Sequence, residues 1–347
     1  MKRQIRALAF ACLLAPFWAA AATPQTKHIL FVMTDGLRWQ EVFGGADSSL
    51  LDKGKSAVAR EALMPFLWGV VAKQGQIFGN RNAGSDAYVT NHFFFSYPGY
   101  NETLCGFADP RVSSNDKIPN PNVTVLEWLH KKSNYRGQIA AFGAWDVFPF
   151  IFNVERAGFP VNAGYYPFTS IPSTPPLDLL NRLKAEIPRV WPDEPFDFMP
   201  FHTALEYLHA RNPKILYLSL GETDEWAHAG NYSEYLKSIH RVDDYLRELW
   251  ETVQAMPEYR GNTTLIFSPD HGRGDGLEWK NHGEKVPDSK YIWMAFLGPD
   301  TPALGERTHV PAVTQNQIAA TLAALLGENY SADMPNAGKP ISAVLPK

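Results

Sequence analysis

Hydrophobic positions along this chain fall into two alternating kinds of segment. Short apolar runs bounded by turn residues occur at 28–34 (HILFVMT), 138–143 (QIAAFG), 214–220 (KILYLSL) and 263–268 (TTLIFS). Runs of this length without polar alternation predict strands buried on both faces of a parallel sheet. Between them lie segments with helical spacing. Met64 to Val71 reads as part of the first crossover helix, and 123–132 (VTVLEWLHKK) as another helix. From Tyr232 to Gln254, the residues Tyr235, Ile239, Val242, Leu246 and Leu249 recur at helical spacing, which predicts an amphipathic helix whose charged residues form a solvated face. The run QNQIAATLAALLG reads as a closing helix with Thr314 as N-cap and Gly327 as its stop. Strands alternating with helices over this length predict a doubly wound α/β/α sandwich with a mostly parallel sheet.

One segment breaks the pattern. Between about 144 and 201 the chain is rich in proline and aromatics, with a helical turn or two at 177–187. X-Pro steps push such sequence toward extended and turn conformations. It reads either as an irregular insertion packed on the core or as a cap whose aromatics shape a substrate pocket. The first 22 residues are different again. Lys2, Arg3 and Arg6 precede an apolar stretch from Ala7 to about Ala20 and then small residues, the layout of a secretory signal peptide cleaved after Ala21 or Ala22. The expected organisation is therefore a signal peptide at 1–22 and one domain at 23–347, in a secreted or periplasmic protein.

Composition narrows the function classes. The 32 basic and 36 acidic residues give a formal charge of −4, and removing the three cations of the leader makes it −7. No basic stripe is present, so nucleic-acid binding by counterion release is disfavoured. No later apolar run is long enough to span a bilayer. Of the two cysteines, Cys12 lies in the leader and Cys105 remains, so the mature chain cannot form an internal disulfide.

The chemistry gathers at the ends of the apolar runs. Asp35 follows the first, Asp224 and His228 follow the third, and Asp270-His271 follow the fourth; His282 stands in a later Gly-rich loop. In open α/β sheets ligands collect at the carboxyl ends of strands, so these residues predict one convergent site. Asp224 and His228, four apart, would face one side of a helical turn. Three carboxylates and three imidazoles suffice for two divalent cations with open positions. A hydroxyl stands nearby in FFFSYPGYNETLCG, residues 93–106, where Pro98 suits a first helical turn. Ser96 there is either a helix N-cap or a nucleophile, and the metal constellation favours the nucleophile; Thr90 is the runner-up.

The order of TDG at 34–36, the Ser96-Tyr97-Pro98 segment, D-x-x-x-H at 224–228, DHG at 270–272 and a later histidine resembles the alkaline phosphatase superfamily, nearest to its nucleotide pyrophosphatase/phosphodiesterase-like branch. The resemblance spans nearly the whole mature chain and is weakest over 144–201. It implies one metal held by Asp224, His228 and His282, and a second held by Asp35, Asp270 and His271 with Ser96 bridging toward it. The ions implied are two Zn²⁺, with Mn²⁺ as the second choice. The activity implied is hydrolysis of phosphate esters or anhydrides of a small-molecule substrate through a phosphoserine intermediate. The family places a polar residue beyond the nucleophile helix to contact substrate oxygens, which here points to Asn115, with Asn120, Asn122 and Asn91 as alternatives. A sulfatase or phosphonate hydrolase on the same scaffold is the rival. Sulfatases, however, carry arginine at the fourth position after the nucleophile, and Tyr100 stands there.

Overall fold

The computed structural model describes residues 24–346, and the expected leader at 1–22 lies outside the described residues. Ten strands follow in chain order: β1 (His28–Thr34), β2 (Gln76–Phe78), β3 (Ala87–Tyr88), β4 (Ile139–Gly143), β5 (Val161–Ala163), β6 (Ile215–Leu220), β7 (Thr263–Pro269), β8 (Met294–Leu297), β9 (Gly305–Glu306) and β10 (Val313–Thr314). Eight of them form one sheet in the order β5-β4-β6-β1-β7-β8-β2-β9, and β10 pairs with β3 separately. Within the large sheet only β8 runs antiparallel to its neighbours β7 and β2. The three runs that lead into acidic residues are adjacent strands, β6-β1-β7, at the centre.

Side-chain alternation explains why these runs are apolar throughout. Ile29, Phe31 and Met33 of β1 pack into one core with the helices Ser96–Cys105, Val125–His130 and Ile318–Leu325. Leu30 and Val32 enter a second core beneath the helices Phe198–Arg211 and Tyr232–Ala255. The sheet is thus covered on both faces, the α/β/α arrangement expected from the alternation of strands and helices. Among the described residues no helix is long and apolar enough to cross a membrane.

Several local expectations are corrected. The crossover helix around 64–71 is broken: a short helix, Arg60–Leu63, is separated from a π-helical turn, Leu67–Val71. Pro65 lacks the N–H a continuous helix needs. The freed Phe66 and Leu67 N–H groups donate to Asp243, at 2.6 and 2.8 Å. Asp243 is consequently buried, an exception to the solvated charged face expected for the long helix. The 144–201 segment carries more regular structure than its composition indicates. It supplies β5 at the sheet edge, the short helices Phe148–Ile151 and Val154–Ala157, and the helix Pro175–Glu186. Phe148 and Phe152 belong to the core, each packed against Tyr217 of β6. At the far end Thr314 and Gln317 form the reciprocal capping box that opens the closing helix.

Candidate metal centre and the family of the chain

Strand register sets the level of the site. Thr34 at the end of β1 pairs with Leu220 of β6 on one side and with Pro269 of β7 on the other. The next residues, Asp35, Gly221 and Asp270, therefore leave the sheet at one height. Gln315, at the start of the closing helical segment, donates to the carbonyls of Pro269 (3.2 Å) and Asp270 (2.6 Å) and fixes the β7 end. Arg38, buried and paired with Glu41, donates to Gly274 O at 3.0 Å and ties the loop after β1 to the loop after β7.

Two groups of ligand atoms result. In the first, Asp35, Asp270 and His271 converge, with His271 Nε2 3.2 Å from Asp35 Oδ1 and 3.4 Å from Asp270 Oδ2. His271 Nδ1 donates to Gly272 O at 2.8 Å, which leaves the Nε2 lone pair facing the carboxylates. Asp270 Oδ1 accepts from the N–H groups of Gly36 and His271, and Asp35 Oδ2 accepts from Tyr100 at 3.1 Å. The remaining oxygens, Asp35 Oδ1 and Asp270 Oδ2, are buried with no hydrogen-bond partner. Burial pushes both carboxyls well above their ordinary range, and neighbouring carboxylates push further. Leaving such atoms unsatisfied costs about 1–3 kcal/mol each. A divalent cation among them removes that penalty.

In the second group, His228 Nε2 lies 3.0 Å from Asp224 Oδ2 and 2.9 Å from His282 Nε2, which is 3.7 Å from Asp224 Oδ1. Two imidazole nitrogens facing each other this closely suit a cation between them. His282 Nδ1 donates to Phe94 O at 3.2 Å, again directing Nε2 inward. Phe94 reaches this position with φ at 53°, a left-handed conformation that costs on the order of 1–3 kcal/mol in a non-glycine residue. Burial lowers the His282 imidazole well below its ordinary range and brings His271 to about 4. Both rings are therefore neutral near pH 7, the form that binds metals. His271 also lies within reach of Asp224 and His282, and its ring stacks on His282 at 4.0 Å. The donor sets of both groups, and the orphaned oxygens of the first, are of a kind that fits divalent cations.

Sequence reasoning missed two residues here. Arg273, buried, donates to Asp224 Oδ1 and to the Trp279 and Lys280 carbonyls. Burial alone would raise the Asp224 carboxyl, yet Arg273, His282 and His228 outweigh it and hold it well below the ordinary range. Tyr100 bridges Asp35 and Ser219 Oγ. It lies four residues after Ser96 on the same helix face, which is the signal that could have found it.

Ser96 begins the helix Ser96–Cys105 and its Oγ lies 3.5 Å from His271 Nε2. The N-cap position belongs to Phe95, and no side chain caps the helix there. Of the asparagines, Asn115 meets the helix start, its Oδ1 accepting from Tyr97 N–H at 3.0 Å. Asn120 and Asn122 do not reach the site, contrary to expectation. Asn120 donates to Ile151 O, and Asn122 donates to Asn101 and Asp109. Asn120 sits by Cys105, at the opposite end of a ten-residue helix, roughly 15 Å from Ser96. Asn91 Oδ1 instead accepts from Phe93 and Phe94 N–H and shapes their turn. Thr90 donates its hydroxyl to Glu102, away from the ligand groups.

The sequence profile of the type I phosphodiesterase / nucleotide pyrophosphatase family matches residues 65–321, most of the chain. The chain belongs to this family. Among curated proteins it is 28% identical over 125 residues to a 2,3-bisphosphoglycerate-independent phosphoglycerate mutase of Haloarcula marismortui, covering 36% of this chain and 23% of that protein. It is 23% identical over 335 residues to GPI ethanolamine phosphate transferase 1 of Yarrowia lipolytica, covering 90% of this chain and 33% of that one. The chain thus spans a third or less of the length of these relatives. Among solved structures, the alkaline phosphatase PafA superposes with a TM-score of 0.60 at 11% identity, covering 93% of this chain and 100% of that one. That likeness establishes the alkaline-phosphatase-like fold.

Proposed function

We propose that this member of the phosphodiesterase family is a binuclear-metal hydrolase of phosphate esters or anhydrides that works through a phosphoserine on Ser96. One observation carries the reading: two buried, unpartnered carboxylate oxygens meet His271 Nε2, and Ser96 Oγ stands 3.5 Å from that same nitrogen. When bound, divalent cations, Zn²⁺ before Mn²⁺ given three histidines, would supply the positive charge that favours an ionised serine and a departing alkoxide. Ser96 Oγ attacks phosphorus, the ester P–O bond breaks, and the alcohol leaves with a proton from solvent. Water then cleaves the Oγ–P bond and releases the phosphorylated product. The start of the Ser96 helix adds the positive end of its dipole beside the phosphoryl oxygens. Asn115, anchored through its Oδ1, keeps its Nδ2 donors for a substrate oxygen. Tyr100 and Arg273 hold Asp35 and Asp224 in place.

The test uses the full chain stripped with chelator and assayed on 4-nitrophenyl phosphate, bis(4-nitrophenyl) phosphate and 4-nitrophenyl sulfate. Turnover of a phosphate ester should vanish and return with Zn²⁺, and anomalous scattering should locate ions in both ligand groups. Undiminished turnover by demonstrably metal-free protein, or a preference for the sulfate, overturns the reading.

A further inference from the structure

Five of the six candidate ligands stand at a strand end or on the helix Glu222–His228, where regular hydrogen bonding holds the backbone. His282 has no such support. It lies in irregular chain between the short 3₁₀ helices Gly276–Lys280 and Pro287–Lys290. Two outside contacts fix its ring. Stacking on His271 at 4.0 Å sets the plane, and the Nδ1 bond to Phe94 O sets which edge faces Asp224 and His228. That bond is only as firm as Phe94 itself, whose φ of 53° is unfavourable for so bulky a side chain.

Asn91 holds Phe94 in place. The Phe93 and Phe94 N–H groups donate to Asn91 Oδ1 at 3.1 and 3.0 Å. Both are donors, so the amide must turn its oxygen to them and its Nδ2 the other way. There Nδ2 donates to Glu102 Oε2 at 2.8 Å. The same oxygen accepts the Asn91 backbone N–H at 2.7 Å, and Glu102 Oε1 accepts the N–H and the hydroxyl of Thr90 at 2.7 and 2.9 Å. Glu102 is fully buried on the helix Ser96–Cys105, and among the described residues every donor to it comes from Thr90 and Asn91. The contacts run in one line from the Glu102 carboxylate through the Asn91 amide and the Phe94 peptide to His282 Nδ1. Phe94 lies two residues before Ser96, so the hydroxyl and the His282 ring take their positions from the same carboxylate.

We infer that Glu102 is a positioning residue for the second ligand group: through Asn91 and Phe94 it aims His282 Nε2 at Asp224 and His228. The inference rests on the binuclear reading of the metal centre and adds that its two groups are supported independently. Asp35, Asp270 and His271 have their own anchors in Tyr100, the Gly36 N–H and the Gly272 carbonyl, none of which passes through Asn91. Removing the outer partner of a metal-bound histidine ordinarily weakens metal binding ~10–100-fold. Cutting the line should therefore loosen one ion and spare the other.

The test is zinc titration of the metal-free full chain against a competing chelator. Asn91→Leu keeps the side-chain shape and removes its bonds, and Glu102→Leu removes the carboxylate. In each, one of two binding constants should fall by at least about tenfold while the other stays at the wild-type value. Anomalous scattering from crystals at limiting zinc should place the loss at Asp224, His228 and His282. Turnover lost at limiting zinc should return at saturating zinc. Glu102→Gln, whose amide oxygen can still accept from Asn91, should bind both ions nearly as the wild type does. If Glu102→Leu fails to fold by circular dichroism, Asn91→Leu decides by the same constants. Equal weakening of both ions, weakening of neither, or loss at the Asp35 group overturns the inference and leaves Glu102 a tie between the 90–91 segment and the helix. A folded wild type that binds fewer than two zinc ions at saturation refutes the binuclear reading itself, and the inference with it.

Discussion

Replacing Ser96 by alanine separates structure from chemistry more cleanly than any other substitution in this chain. A serine at a helix start ordinarily contributes about 1 kcal/mol as a cap. Here Phe95 occupies the N-cap and Ser96 makes no capping bond. Its sole hydrogen-bond contact is the 3.5 Å approach to His271, at the outer limit of useful geometry. Ser96→Ala should therefore change stability by less than about 0.5 kcal/mol. Turnover should respond very differently. Without a nucleophile the phosphoryl group must be attacked by water from a position built for a serine oxygen, and a loss of at least about 10³ in kcat/KM is expected, roughly 4 kcal/mol of barrier. Three measurements on one preparation check this: melting temperature, metal content by elemental analysis, and kcat/KM on a 4-nitrophenyl ester. Acid quenching with radiolabelled substrate and peptide mapping should place the phosphoryl group on Ser96. A variant that keeps more than a tenth of wild-type kcat/KM at equal metal content would refute the assignment. Label on Thr90 would move the role to a residue whose hydroxyl is otherwise held by Glu102.

Gly36→Ala should damage the metal centre from beneath. The residue holds φ at 60°, and its new Cβ would lie 2.5 Å from Asp224 Oδ1 and 2.7 Å from Arg273 Nη1. Backbone strain of about 1–2 kcal/mol adds to that clash, so metal titration should show weakened binding and denaturant unfolding a lower midpoint. Asp243 offers a pH test: burial raises its carboxyl from 3.8 to about 6 despite the Phe66 and Leu67 N–H bonds. The folded state therefore holds the proton longer than the unfolded state. The stability associated with it is fully present below about pH 4 and is lost as pH rises through 6, by up to about 3 kcal/mol. Asp243→Asn should flatten that part of the stability-against-pH curve relative to wild type, and superimposable curves would discount the shift. Amino-terminal sequencing of protein exported by a secreting host should begin at Ala22 or Thr23, and an intact Met1 would dismiss the leader.

What was legible in the sequence was what has a local cause. β1, β6 and β7 announce themselves because strands covered on both faces carry no polar alternation, and the acidic residues beyond them mark the end where the chain turns. Ser96 was legible through Pro98 and the helix it starts. The contacts that complete the site are not local. Arg273 reaches Asp224 across 49 positions and Tyr100 reaches Asp35 across 65, and only the fold brings these pairs together. β5 was hidden because three residues are too few to show a period. Whether Phe148 and Phe152 belong to a cap or to a packed insertion stayed open in the sequence because proline steps obscure their packing against Tyr217. Asn120 and Asn122 were misplaced because distance along the chain says nothing about which end of a helix a returning loop meets.

The common height at which β6, β1 and β7 end has a bearing on how such a chain can evolve. Asp35, Asp224 and Asp270 all depend on strands that end level with one another. One residue inserted into any of the three would advance its carboxylate by about 3.3 Å and turn the following side chains to the other face of the sheet. Lineages should therefore tolerate almost no change of length within 28–34, 215–220 or 263–269. The exposed stretch at 52–59 carries no such constraint. Diversification by insertion and deletion is channelled to the rim, where substrates are told apart, while the chemistry beneath keeps its spacing.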